Sequence, residues 1–513
     1  MILRSLLTVL TWKKSRRRKF LFGFFTSVYF HLLLLSSTTL AAKTRFKTVR
    51  DINGKSPDGE EVEWGGLFGN YTARQALVRD LIGIIGDDYD VRGNTEIDVI
   101  SDDYCKISTE IEMQCKGNNP DSPYLIFSIE KLVGEAVHNK FSNRFRPDEA
   151  LIFFGKTPPH AKYFGHTEYL DTKSDGNQIN PGRLTIQASI DDTINPSNIN
   201  VISDGSYSGA FNKDYVIISS ADRKIYNVLN NALINLVVPV DIINQQTWST
   251  KLLNLGLFSQ SDTLATIMRI ALFTNKEEGE QFLANPPICV LRITPKVKNK
   301  NVRGYPIPVR APRKFVSDDE RKYKKAVMKL GRAIRRKARR DNHKESKTFT
   351  IELNPEKCLK YDLRCFFESN DSVYRGNIPN QLFRRDSYLI VYGVNHVKTG
   401  FARYTSVTLY NPEGLIAVAS FTSENYMDDS AKRFLPDHEH VDKLFAVTLR
   451  RDCGKRGVRD EFCVEVNTDD LSARALVLFA SRAYMHPNGT NSADPVNLLP
   501  MNVMYGGQHL GGI

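Results

Sequence analysis

Beyond residue 42 the chain has no apolar run long enough to cross a bilayer, which excludes a multi-spanning membrane protein. It also lacks the G-x-G-x-x-G, P-loop and H-E-x-x-H patterns, so neither a glycine-rich phosphate cradle nor a zinc-hydrolase helix is written into it. Gly205-Ser206-Tyr207-Ser208-Gly209 has the glycines of a nucleophile elbow, but Tyr207 stands where that turn needs serine. Cysteine is scarce, with seven in 513 residues, and no two are spaced as C-x₂₋₄-C, so a structural zinc site has no ligand pair. No cofactor is expected.

Acid is missing from two stretches. Residues 1–42 carry seven cations and residues 321–340 carry eleven, with no Asp or Glu in either. The net charge of +12 therefore belongs to two short segments, and the remainder is mildly acidic. A nucleic-acid binder spreads its cations over a folded face, so no nucleic-acid partner is expected.

What is present begins with an address. A basic cluster from Lys13 to Lys19 precedes an apolar run from Phe20 to Leu35, then small residues ending at Ala41 and Ala42. These are the three parts of a secretory signal, and the run is almost long enough to serve as a retained signal anchor. Either reading places residues 43–513 in the secretory pathway, as an extracellular or a single-pass type II protein. Six cysteines agree, falling into the local pairs Cys105/Cys115, Cys358/Cys365 and Cys453/Cys463, which read as disulfides of an oxidising compartment. Cys289 is left over in an apolar strand. Asn70, Asn370 and Asn488 head glycosylation sequons.

An internal repeat organises the rest. Phe145-Arg146-x-Asp148-x-x-Leu151-Ile152-x-Phe154-Gly155 returns as Phe383-Arg384-x-Asp386-x-x-Leu389-Ile390-x-Tyr392-Gly393. After a loop, Ala161-Lys162-Tyr163-x-x-x-Thr167-x-Tyr169 returns as Ala402-Arg403-Tyr404-x-x-x-Thr408-x-Tyr410. A distant second copy implies two related structural units. The expected fold is α+β and β-rich: two tandem homologous antiparallel β-sandwich-like units, the first with helical insertions, joined by a basic amphipathic helix.

The expected boundaries are a signal or anchor at 1–42, an N-terminal section at 43–123 and a first repeat unit at 124–298. A basic helical linker at 299–349, a second repeat unit at 350–505 and a flexible tail at 506–513 complete them. The spacing predicts a helix over 73–85, and another starting at Asp222 with Ile225, Leu229 and Leu233 on one face. Residues 246–286 read as helical in pieces. Strands are expected at 387–392, 402–410, 415–421, 444–449, 462–466 and 475–483. The strand around Arg482 faintly echoes that around Arg292. Ser317-Asp-Asp-Glu320 reads as a capping box opening the basic helix, whose apolar stripe is Tyr323, Val327, Leu330 and Ile334.

Chemistry-bearing clusters are sparse. Asp437, His438 and His440 form the densest ligand group, a candidate metal site or else a hydrated loop. His160 and His166 bracket the repeated Lys162-Tyr163, and His396 lies in the longer loop of the second copy. Arg146 with Asp148, and Arg384 with Asp386, suit structural ion pairs. The basic helix admits three roles: a linker, a dibasic processing site at Arg336, Arg339 and Arg340, or a contact with anionic lipid or glycan. The leading expectation is an extracellular binding or structural module. The alternative is a secreted hydrolase with its site in the cleft between the two units.

Overall fold

Among the described residues, twenty-two strands in short, mostly antiparallel ladders make the fold β-rich, and five α-helices lie among them. The structure, a computed structural model, describes residues 64–93, 96–100, 117–175, 182–338, 344–345, 348–379, 382–385, 387–413, 415–454, 460–466, 471–472 and 474–506. The signal segment, Cys105, Cys115, Arg339, Arg340, Asp386 and the tail from 507 onward lie outside these residues.

The first ten strands are β1 (Tyr89–Gly93), β2 (Glu96–Ile100), β3 (Tyr124–Ser128), β4 (Ala150–Lys156), β5 (Ala161–Ser174), β6 (Arg183–Ser189), β7 (Asp214–Ser220), β8 (Ile243–Thr247), β9 (Thr263–Phe273) and β10 (Ile288–Pro295). They form two five-stranded sheets, ordered β1-β10-β4-β7-β8 and β2-β3-β9-β5-β6. The remaining strands are β11 (Lys344–Glu345), β12 (Thr348–Glu352), β13 (Ser372–Pro379), β14 (Phe383–Arg384), β15 (Tyr388–Val394), β16 (Tyr404–Asn411), β17 (Ile416–Thr422), β18 (Leu444–Arg450), β19 (Cys463–Glu465), β20 (Arg474–Ala475), β21 (Leu478–Tyr484) and β22 (Asn502–Gly506). They form a third sheet, β11-β22-β15-β18-β19, a fourth, β12-β13-β21-β16-β17, and the two-stranded pair β14-β20. In the first and third sheets the last pairing, β7 with β8 and β18 with β19, is parallel.

The cores follow from alternation along each strand. On β4, Leu151 and Phe153 face the second sheet and pack with Leu125, Phe127, Phe164, Met268 and Ile270. Their neighbours Ala150, Ile152 and Phe154 face the other way, beneath helices α1 (Tyr71–Ile85) and α2 (Arg223–Asn235). The third and fourth sheets enclose Leu389, Val391, Val407, Leu409, Val447 and Phe479. Short helices α3 (Lys276–Ala284) and α5 (Pro355–Tyr361) lie on either side of the basic helix α4 (Lys324–Ala338) in the chain.

Several expectations change. From the expected N-terminal section, β1 and β2 are edge strands of the first two sheets. The basic helix rests its apolar stripe on the third sheet, as a linker helix packed on a repeat unit does. Its stripe, Tyr323, Val327, Leu330 and Ile334, packs on Tyr388, Ile390, Tyr392 and Val394 of β15. A side chain at Gly331 would come within 2.7 Å of the Tyr392 hydroxyl, so glycine lets helix and sheet approach. The longest element within 246–286 is β9, a partner of β5, and only α3 is helical there. β9 is buried on both faces and so shows no alternation.

Between the second and fourth sheets lies a layer of tyrosines around two buried arginines. Arg269 of β9 pairs in register with Tyr124 and Gly165, and Arg482 of β21 with Tyr374 and Ser406. The Arg269 guanidinium lies 5.2 Å and 5.3 Å from the rings of Tyr124 and Tyr169, and Arg482 lies 5.9 Å and 5.8 Å from Tyr374 and Tyr410. Each arginine then reaches across: Arg269 donates to the Phe367 carbonyl, and Arg482 to the Gly117 carbonyl at 2.8 Å. Tyr163, Tyr404 and Tyr484 fill the space beside them.

A third buried arginine, Arg292 on β10, is held by Glu135 at 2.7 Å and Glu149 at 2.9 Å, with all three side chains fully buried. Replacing it by alanine strands two carboxylates in the core. Arg292→Ala is expected to cost about 3–5 kcal/mol, read as a lower urea midpoint. Arg292→Lys is expected not to restore it, since a point ammonium cannot fork to both acids.

Candidate functional site

The surface feature with the clearest construction is the outer face of α4. Its start is set by Asp319, whose side chain accepts from the Arg321 amide. Glu320 does not reach back as the capping box requires. It is fully buried instead, accepting from His396 Nδ1 at 2.8 Å, Thr399 Oγ1 at 2.6 Å and the Leu499 amide at 2.8 Å. His396 and Thr399 belong to the longer loop of the second copy, so that loop ties the helix to the end of the central strand β15 of the third sheet.

With the apolar stripe buried, the cations face outward. Lys324, Lys325, Lys329, Arg332, Arg336 and Lys337 are exposed and have no carboxylate partner among the described residues. Arg321 and Lys322, at the start, are paired with Asp319 and Asp318. Lys325, Lys329, Arg332 and Arg336 follow helical spacing and form one ladder, about 16 Å long at 1.5 Å per residue.

The other sequence candidates do not converge. His438 and His440 sit in a turn, where His438 Nδ1 accepts from the His440 amide and the His440 ring meets Tyr323 edge-on at 5.2 Å. No group of three metal-ligating side chains occurs among the described residues. His160 is exposed and stacks on Phe211, whereas His166 is buried against Phe127 and Phe153. Burial pushes the His166 imidazole down to about 3, so it is a neutral core group. Tyr207 of the glycine-flanked turn donates to the Lys162 carbonyl at 2.8 Å and lies under Arg403.

Arg146 and Asp148 form a two-pronged ion pair, and Asp148 also accepts from the Asn299 amide. Arg384 is exposed, and its partner Asp386 is outside the described residues. Of the processing candidates, Arg336 lies within the last turn of α4. Asn70 caps α1, accepting from the Ala73 amide, and Asn488 is exposed in a turn. Asn370 is buried, its amide nitrogen donating to Asp192 at 2.9 Å and to the Ala311 carbonyl at 3.3 Å. Cys358–Cys365 and Cys453–Cys463 are disulfides, which suits an oxidising compartment, and Cys289 is free. Among the described residues no helix is long and apolar enough to cross a membrane.

Sequence reasoning missed the buried arginines. Each stands alone in an apolar strand, as in Ile267-Met268-Arg269-Ile270, and a lone cation there demands buried partners. The echo between Arg482 and Arg292 was a false match, since Arg482 occupies the register position of Arg269. A shorter echo marks the same correspondence: Asp121-Ser122-Pro123-Tyr124 and Asp371-Ser372-Val373-Tyr374. Asp371 accepts from the Tyr163 hydroxyl at 2.8 Å across the tyrosine layer.

No known family profile matches the chain, and no curated protein matches it. Among solved structures, an uncharacterized protein from Burkholderia cenocepacia is similar at 11% identity, covering 85% of this chain and 90% of that one, with a TM-score of 0.36. A protein from Vibrio parahaemolyticus is similar at 10% identity, covering 76% and 90%, with a TM-score of 0.35. The B domain of a biofilm associated protein covers 77% and 72% at 9% identity, with a TM-score of 0.14. Likenesses at this level assign neither fold nor function.

Two outcomes follow from the buried polar groups. Burial holds the Glu168 carboxyl up at about 7, so the folded chain keeps a proton that the unfolded chain has lost. Stability relative to Glu168→Gln is expected to fall as pH rises from 4.5 to 7, by roughly 3 kcal/mol in urea titrations. Expression in a glycosylating host is expected to leave Asn370 unmodified, and peptide mass mapping checks it.

Proposed function

We propose that this chain is a secretory-pathway binding module of two homologous units, and that the ladder on α4 is its contact with a polyanionic glycan. The carrying observation is the row of exposed cations without carboxylate partners, on a helix whose apolar stripe is already buried. A helix in that state cannot lay an apolar face into a bilayer as membrane-surface helices do. It presents a rigid line of charge, which a linear polymer of sulfates or carboxylates matches.

Duplication of the whole unit is supported by the sheets. Reading β1 to β10 against β11 to β22, without β14 and β20, gives the same strand order in both pairs of sheets. It is also supported by the reciprocal arginines, each between two tyrosines and each donating into the other half. Cys115 stands as far ahead of Tyr124 as Cys365 does ahead of Tyr374, so the sequence itself carries the correspondence into the cysteines. On this reading α4 is the counterpart of α1, and its charge is what the second unit adds. The secretory address rests on the basic and apolar segments of residues 1–42 and on the disulfides.

The test is titration of the full chain with heparin at several salt concentrations, alongside phosphatidylserine vesicles. Heparin binding is expected to weaken linearly in log–log form with salt, and K325Q/K329Q/R332Q to bind at least tenfold less tightly with an unchanged melting temperature. Undiminished heparin binding by that variant, or binding of vesicles with none of heparin, would overturn the reading.

A further inference from the structure

The helical insert of the first half builds a second, separate cationic site. A surface groove of about 600 Å³ runs along α2, lined by Arg223, Lys224, Asn227, Val228 and Asn231 and, from the facing strap, by Arg303 and Gly304. Three cations and two carboxamides line it, and no acid does. The carboxylate that opens the helix, Asp222, is buried and committed elsewhere. Its Oδ1 accepts from the amides of Lys224 at 3.0 Å and Arg303 at 2.9 Å, and its Oδ2 from Asn299 Nδ2 at 2.8 Å. Asp222 thereby occupies the first-turn amide of α2, so side chains and not the helix end must meet a ligand.

The walls are fixed before any ligand arrives. The Arg223 amide donates to the Arg303 carbonyl at 3.0 Å, and Asp222 forms a β-bridge with Gly304. A Cβ at Gly304 would sit 2.5 Å from Thr250 Oγ1, so glycine lets the strap lie this close. The Arg223 guanidinium rests 5.2 Å from the Tyr305 ring, whose hydroxyl accepts from Gln245 at 2.7 Å and whose carbonyl accepts from Ser249 at 3.1 Å. A guanidinium stacked on a pinned ring loses little freedom on forking to an oxyanion. Arg223, Lys224 and Arg303 have no ion-pair partner among the described residues, so their charge is uncompensated there.

From these residues we infer that the groove binds a small hydroxylated ligand carrying one tetrahedral oxyanion, of the sugar-phosphate class. Arg223, Lys224 and Arg303 take the anion, and the carboxamides of Asn227 and Asn231, one helical turn apart on the same face, take hydroxyl groups. The volume suits a ligand of that size. In the corresponding connection of the second half, from β18 to β19, the described residues hold no helix and carry the Cys453–Cys463 disulfide, so among the described residues the groove is found in the first half.

Isothermal titration of the full chain with glucose 6-phosphate, inorganic phosphate and glucose tests this. Glucose 6-phosphate is expected to bind at least tenfold more tightly than phosphate, and glucose not to bind. K224A/R303A is expected to lose at least tenfold in affinity for both anions, and N227A/N231A only the advantage of the sugar phosphate. All four positions are exposed, and K224E is a second variant with the same expected loss should the double change perturb folding. Absence of anion binding, equal affinity for phosphate and glucose 6-phosphate, or affinity undiminished in K224E would overturn the inference. The α4 variant K325Q/K329Q/R332Q is expected to leave this binding unchanged, and loss there would assign the anion to the ladder instead, which also overturns it.

Discussion

A guanidinium keeps its charge in any protein interior, and the tyrosine layer is arranged around that constraint. Arg269 and Arg482 are each clasped by two rings of their own half, but those rings leave N–H groups that need oxygen. Part of that oxygen is local, from Tyr169, Thr408 and Tyr410, and the rest comes from the opposite half, from Phe367 and Gly117, in the segments that lead into β13 and β3. Each half thus completes the hydrogen bonding of the other's arginine. The layer between them is consequently filled by ring and guanidinium, and His160, His166 and the 437–442 turn do not meet in it.

The shared residues and the differing ones do different work. The repeated Tyr163, Tyr169, Tyr404 and Tyr410 are all fully buried and serve the interlayer. The differences are at the surface. The longer loop of the second copy provides His396 and Thr399 to buried Glu320, which holds the start of the basic helix. The α2 insert provides a cationic groove that the described residues of the shorter β18–β19 connection do not. Core positions leave their residues little freedom, so surface chemistry varies where chain length can change.

Local patterns were legible where one face meets water. The 3.6-residue stripe of α4, the start of α2 at Asp222 and six of the strands described in the second half (β15 to β19 and β21) are visible from spacing and end signals. β9 was not, because both its faces are buried and Leu264, Ala265 and Met268 are as much at home in a helix as in a strand. The capping box was misread for a related reason: Glu320 has a better use in the interior, offered by a loop far along the chain. Asn370 shows the same limit, since its triplet says nothing of Asp192 and the strap at Ala311 closing over it.

By itself the sequence determined the β-rich character, the repeat, the cysteine pairs Cys358/Cys365 and Cys453/Cys463, and the amphipathic basic helix, because each depends on neighbours a few residues away. Only the tertiary structure decided which strands share a sheet, where the three lone arginines find partners, and which cations remain uncompensated. Those outcomes depend on contacts between residues a hundred or more positions apart. Charge placed in a sequence is neutral or active according to what folding sets beside it.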